Sequence, residues 1–188
     1  MKQRLESLDI LRGLDLFILV FFQPVFMRLA QAQPEGHFLR LIQEQVFTHV
    51  EWEGHHLWDQ VMPLFLFMAG TSIPYAFARY KEERHFPKSA FYRVGKRVVL
   101  LWIFGAIVQG NLLDLNPDTL YLYTDTLQAI ACGYLFSVIL FMNLSAKGML
   151  AVTLLCPLIY TVTMMAGDGY QPGTNMAEQI DRMILGRF

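Results

Sequence analysis

Residues 49–70, HVEWEGHHLWDQVMPLFLFMAG, set His49, His55, His56, Glu51, Glu53 and Asp59 against an uninterrupted apolar segment. Ionisable side chains at the rim of a hydrophobic span are costly to desolvate, which makes such a cluster a functional-site hypothesis. Histidine moves protons near neutral pH, and a carboxylate can fix its tautomer and stabilise its charged form. His49 and Asp59 are therefore the expected catalytic pair. Their spacing does not establish contact, because Asp59 equally suits a helix N-terminus, where a carboxylate satisfies free amides. No HExxH pattern is present and neighbouring imidazoles diverge, so no metal is expected. Trp52 and Trp58 suit the lipid–water interface, and Trp52 equally suits the wall of a substrate site.

Other polar residues lie near the ends of apolar runs. Gln23, Asn111, Asp125 and Gln128 fall on the same expected side as His49, as does Gln109. Their amides and carboxylate are expected to line an acceptor cavity, with interhelical bonding the competing reading. Asp9, Arg12 and Asp15 are three residues apart in turn and share a helix face as a structural charge network. Arg93, Lys96 and Arg97 stand closest to the mouth of a basic run, where a phosphate-bearing cosubstrate would find charge-assisted donors.

These residues need rigid elements at fixed depths, and the composition says which. The 188-residue chain is 54% hydrophobic and 16% charged, with mean hydropathy +0.35. A soluble domain usually carries about 25% charged residues. Five stretches, 8–26, 59–80, 94–113, 126–142 and 148–166, approach the ~20 residues that cross a bilayer. The fold class expected is all-α, a polytopic membrane helical bundle. Segment 38–48 places Phe38, Leu41, Ile42 and Val46 at helical spacing, as an amphipathic helix lying on the interface. Net charge is -1, so nothing suggests nucleic acid. Cys132 and Cys156 sit in apolar runs and read as buried hydrophobes.

Cation placement orients the bundle. Seven cations lie between Arg79 and Arg97, and Lys2, Arg4, Arg12 and Lys147 raise that side to eleven of the 15 Lys and Arg. The N-terminus and the 81–93 loop are expected in the cytoplasm, with His49 on the outer, periplasmic side. The polar tail after 166 and its short amphipathic segment are expected to lead into a missing C-terminal half.

RLESLDILRGLDLFILV, HVEWEGHHLWDQVMPLFLFMAG, TLQAIACGYL and IDRMILG together resemble the heparan-alpha-glucosaminide N-acetyltransferase family, in a bacterial inner-membrane branch. The strongest part is H-x-x-W-x-G followed by D-x-V-x-P-x-F-x-F-x-x-G. The resemblance implies the N-terminal part of a bundle of about eleven spans. It also implies transfer of an acetyl group from cytoplasmic acetyl-CoA, as cosubstrate, to an amino sugar or glycan on the outer side. His49 matches the proposed catalytic His, Asp59 the Asp beside it, and Gln23 stands where animal members carry Asn. Direct transfer and an acetyl-His intermediate both stay open. The lipid bilayer and the glycan acceptor are the expected partners, and a homo-oligomer is compatible with the sequence. A transport or binding subunit for a sugar or small solute is the alternative function, and an inactive truncated bundle the third.

Overall fold

The structure, a computed structural model, describes residues 6–116, 119–121, 126–167, 169–171 and 173–185, with no strand among them. The chain begins with α1, Glu6–Phe17, a π-turn at Ile18–Phe22, and α2, Gln23–Gln31. Pro24 explains the wide turn. It has no amide hydrogen, and its ring would press on the carbonyl of Val20 in a regular helix. The Gln23 amide instead donates to the Ile18 carbonyl, five residues back, a geometry that proteins keep for bulged turns. Next come α3 at Phe38–Val46, a 3-10 turn at Leu57–Gln60 and α4 at Val61–Glu82. The rest is α5 at Lys88–Val108, α6 at Thr126–Asn143, α7 at Ala146–Ala166 and α8 at Met176–Leu185.

Four helical stretches among the described residues are long and apolar enough to cross a bilayer: Glu6–Gln31, Leu57–Glu82, Thr126–Asn143 and Ala146–Ala166. The chain is thus an all-helical membrane protein. The fifth expected stretch, 94–113, differs. Its helix is α5, which starts with Lys88, Arg93, Lys96 and Arg97 and ends at Val108. Residues 98–108 are its uncharged part, ~16 Å of helix at 1.5 Å per residue, or about half of a bilayer core. Gly110 enforces the stop. Its carbonyl accepts from the Tyr121 amide at 3.0 Å, and a Cβ there would meet Tyr121 O at 2.3 Å.

The chain divides into two compact units, Met1–Thr71 and Ser72–Phe188, with the boundary inside α4. In the first, Arg12 donates to the Met68 carbonyl at 3.1 Å, tying α1 to the middle of α4. Phe47, almost fully buried, packs its ring 5.9 Å from Phe22, 4.8 Å from Phe26 and 5.9 Å from Trp58. The second unit is built on Ile73, Phe77, Ala90, Val94, Tyr134 and Val138, where α4, α5 and α6 meet. Arg97 lies over the Tyr134 ring at 4.4 Å, and Arg93 donates to the Tyr80 hydroxyl at 2.8 Å. Along α7, Leu154, Leu155, Leu158 and Ile159 remain exposed. Such a face would drive aggregation in water, whereas hydrocarbon accepts it without penalty.

Candidate active site

The site begins with an aromatic foundation. Phe47 lies two residues before His49, and Trp58 one residue before Asp59. Packing those rings at 5.9 Å, tilted by 58°, brings the two ends of the 48–58 loop together. Aromatic pairs at such separations add about 0.5–1.5 kcal/mol beyond the area they bury.

The loop is then closed by hydrogen bonds. His56 Nδ1 sits 2.8 Å from the Thr48 carbonyl and 3.3 Å from Thr48 Oγ1. A carbonyl only accepts, so His56 carries its proton on Nδ1. Thr48 Oγ1 spends its own hydrogen on the Glu44 carbonyl at 2.6 Å, back in α3. His56 also opens the 3-10 turn, and its backbone amide donates to Asp59 Oδ2 at 2.8 Å. Asp59 therefore does cap a helix, though from the third position of the turn rather than the first.

Capping consumes only one of the two carboxylate oxygens. The other, Oδ1, lies 2.6 Å from His49 Nδ1. The two readings of Asp59 weighed from sequence thus coexist in one side chain. A carboxylate oxygen accepts, so His49 donates from Nδ1 and keeps the lone pair on Nε2. The His49 side chain is 69% exposed and Asp59 21%, which leaves the imidazole open to a substrate while its acid is held. Second-position hydrogen bonds of this kind set which ring nitrogen is basic. A dyad so arranged can abstract a proton or act as a nucleophile.

The three histidines go separate ways: His49 to Asp59, His56 to Thr48, and His55 Nε2 to the Gln60 amide at 2.8 Å. Among the described residues no group of three or more His, Cys, Asp or Glu is placed to hold a metal. Trp52 is exposed in the same loop, and Gln23 is half-buried where α2 follows the π-turn.

Other sequence-selected residues sit as follows. Arg12 lies 3.6 Å from Asp9 and reaches the Met68 carbonyl, while Asp15 is buried with Oδ2 lacking a hydrogen-bond partner. Gln128 is buried in α6, and Asn111 Nδ2 is spent on the Thr119 carbonyl at 3.1 Å, stapling the loop after α5. Asp125 lies outside the described residues. Cys132 and Cys156 are exposed free thiols rather than the buried hydrophobes expected; both lie in candidate spans, where an apolar surface meets lipid.

Sequence reasoning named His56 without its role in the loop, and it missed Thr48. That role had a signal, since His56 precedes Asp59 by three residues, the interval of a reciprocal helix cap. Thr48 had none, because its partner is fixed only by the path of the loop.

A family described as heparan-alpha-glucosaminide N-acetyltransferase, catalytic, matches residues 4–171. No curated protein and no solved structure matches the chain.

Proposed function

From the chain's membership of the heparan-alpha-glucosaminide N-acetyltransferase catalytic family, a membrane acetyltransferase family, we propose that it moves an acetyl group from acetyl-CoA to an amino sugar. The observation that carries this reading is the 2.6 Å contact between His49 Nδ1 and Asp59 Oδ1, with Nε2 left basic at an exposed edge. The donor is cytoplasmic and the acceptor is a glycan amine on the outer side, in keeping with the cation bias along the chain. The membrane is a bacterial inner membrane.

In direct transfer, the acceptor nitrogen attacks the thioester carbonyl while His49 Nε2 takes the ammonium proton. The carbon–sulfur bond breaks and CoA leaves as thiolate, which His49 then reprotonates. In the two-step route, Nε2 itself attacks the thioester carbonyl, the carbon–sulfur bond breaks and CoA leaves as thiolate; the amine then attacks the acetyl carbonyl, the carbon–Nε2 bond breaks, and the amine proton passes to the freed imidazole. Asp59 serves both routes by holding the ring and offsetting the positive charge it acquires. Gln23 is the amide offered for the developing oxyanion and Trp52 for the acceptor, whereas Gln128, Asn111 and Asp125 are assigned to the acceptor on sequence alone. Arg93, Lys96 and Arg97 supply positive charge for the donor phosphates, with Arg93 and Arg97 already oriented by tyrosines.

The test uses the full chain in sealed proteoliposomes with acetyl-labelled CoA and glucosamine. Label on the sugar is expected, and its loss in His49→Ala. Solute uptake without label transfer would replace the proposal with a transport function. A pulse without acceptor separates the routes: label retained on His49 supports the acetyl-imidazole, and none supports direct attack.

A further inference from the structure

The second unit contains a polar cavity that the transfer chemistry does not use. It measures about 530 Å³, within the size range of small-molecule sites. It lies where α4 ends and α6 turns into α7, lined by Lys81, Arg84, Phe86, Asn143 and Ser145 among others. Among the described residues, the charged ones lining it are both cations, and no Asp or Glu lines it.

The donor inventory decides which ligand such a cavity suits. Lys81 Nζ donates one hydrogen to the Leu144 carbonyl at 2.7 Å and rests 4.4 Å from the centre of the Phe141 ring. Both partners are neutral, so the full charge persists and two N–H groups remain. Arg84 is exposed on the turn after α4 and brings a planar fork of donors. Ser145 accepts from the Gly148 amide at 3.3 Å as the N-cap of α7, which leaves its hydroxyl hydrogen to donate. Asn143 turns its Nδ2 away, to the Ile139 carbonyl at 2.8 Å. Phe86 forms an apolar wall, fixed by Phe77 and Tyr80 at 5.8 and 5.9 Å.

Two cations, a hydroxyl donor and an apolar wall match the oxygens and organic part of a phosphate ester. We propose that this cavity binds a phosphoryl group, carried either by a soluble phosphate ester or by a lipid headgroup. The inference stands apart from acetyl transfer, since it uses neither His49 nor any residue assigned to that reaction.

The measurement is equilibrium dialysis of labelled pyrophosphate against the full chain in phosphatidylcholine nanodiscs. Saturable binding is expected, weakened tenfold or more in Arg84→Gln and further in the Lys81→Gln, Arg84→Gln pair. Lys81→Arg, which keeps the charge, retains binding within about threefold. Arg84 has φ +48°, and Gln meets the same backbone cost as Arg there, so Arg84→Gln decides the matter if the pair loses helical circular dichroism. Phosphatidic acid added to the nanodisc separates the sources: displacement of pyrophosphate assigns the headgroup, and undiminished binding assigns a soluble ester. Absence of saturable binding, or equal binding by the wild type and Arg84→Gln, overturns the proposal.

Discussion

Asp59 works with both oxygens, and the division of labour makes its substitutions informative. In Asp59→Asn the amide nitrogen cannot accept from either partner, so one of the two contacts is lost. The dyad should lose roughly 10²–10⁴ in transfer rate, read with labelled acetyl-CoA, while the helical circular dichroism stays intact. Asp59→Ala removes both contacts and should additionally lower the unfolding midpoint. A rate in Asp59→Asn within a factor of two of wild type would remove the acid from the mechanism. His56→Ala breaks only the Thr48 bond and keeps the backbone amide that Asp59 uses, so its transfer rate should fall far less than that of His49→Ala. Phe47→Ala leaves a hole among Phe22, Phe26 and Trp58 and should cost about 3 kcal/mol in stability, measured by thermal unfolding in detergent. The residue types of this site were visible in the sequence because charge is conspicuous beside an apolar span. The contact itself was not, since an irregular loop joins positions 49 and 59 and no periodicity governs it.

At the scale of elements, periodicity and apolar length located the helices well, and local backbone chemistry decided where the reading failed. The helix over 38–46 follows directly from its apolar spacing. The π-turn does not, although Pro24 is its evident cause. α5 ends earlier than hydropathy suggests because Gly110, Asn111 and Tyr121 build a turn that continued helix would destroy. Gly110→Ala tests that account. Its Cβ would fall 2.3 Å from Tyr121 O and 2.8 Å from Ala106 Cα, both backbone atoms that cannot swing aside. A loss of about 1–3 kcal/mol is expected, together with faster amide exchange at Tyr121. An unchanged unfolding midpoint would show that the turn yields freely.

For the whole molecule, the bilayer is the dominant solvent, and two facts express it. The spans Glu6–Gln31 and Ala146–Ala166 each have only 6% of their most apolar window buried within the described residues, an exposure suited to an apolar surrounding rather than to water. The cations also gather on one expected side. Sidedness is testable by thiol labelling in a Cys132→Ser, Cys156→Ser background. A cysteine replacing Glu53 should react with a membrane-impermeant maleimide in intact cells, whereas one replacing Glu83 should react only after permeabilisation. The reverse pattern would place His49 in the cytoplasm and require a different acceptor. Class and membrane character were legible because composition sums over many residues and tolerates local error. The division into two units within α4 was not, because it depends on which side chains pack and not on which are apolar.

The stitched base of the 48–58 loop has an evolutionary corollary. Thr48 and His56 pin its two ends through main-chain atoms and one imidazole, so Glu51, Glu53 and His55 can change without breaking the bonds that hold the dyad. Under the proposed acetyl transfer, acceptor preference can therefore drift by exchanging a short cassette. Grafting a relative's residues between His49 and His56, with Gly54 kept, should then redirect which acceptor is modified while leaving the chemistry of its modification untouched.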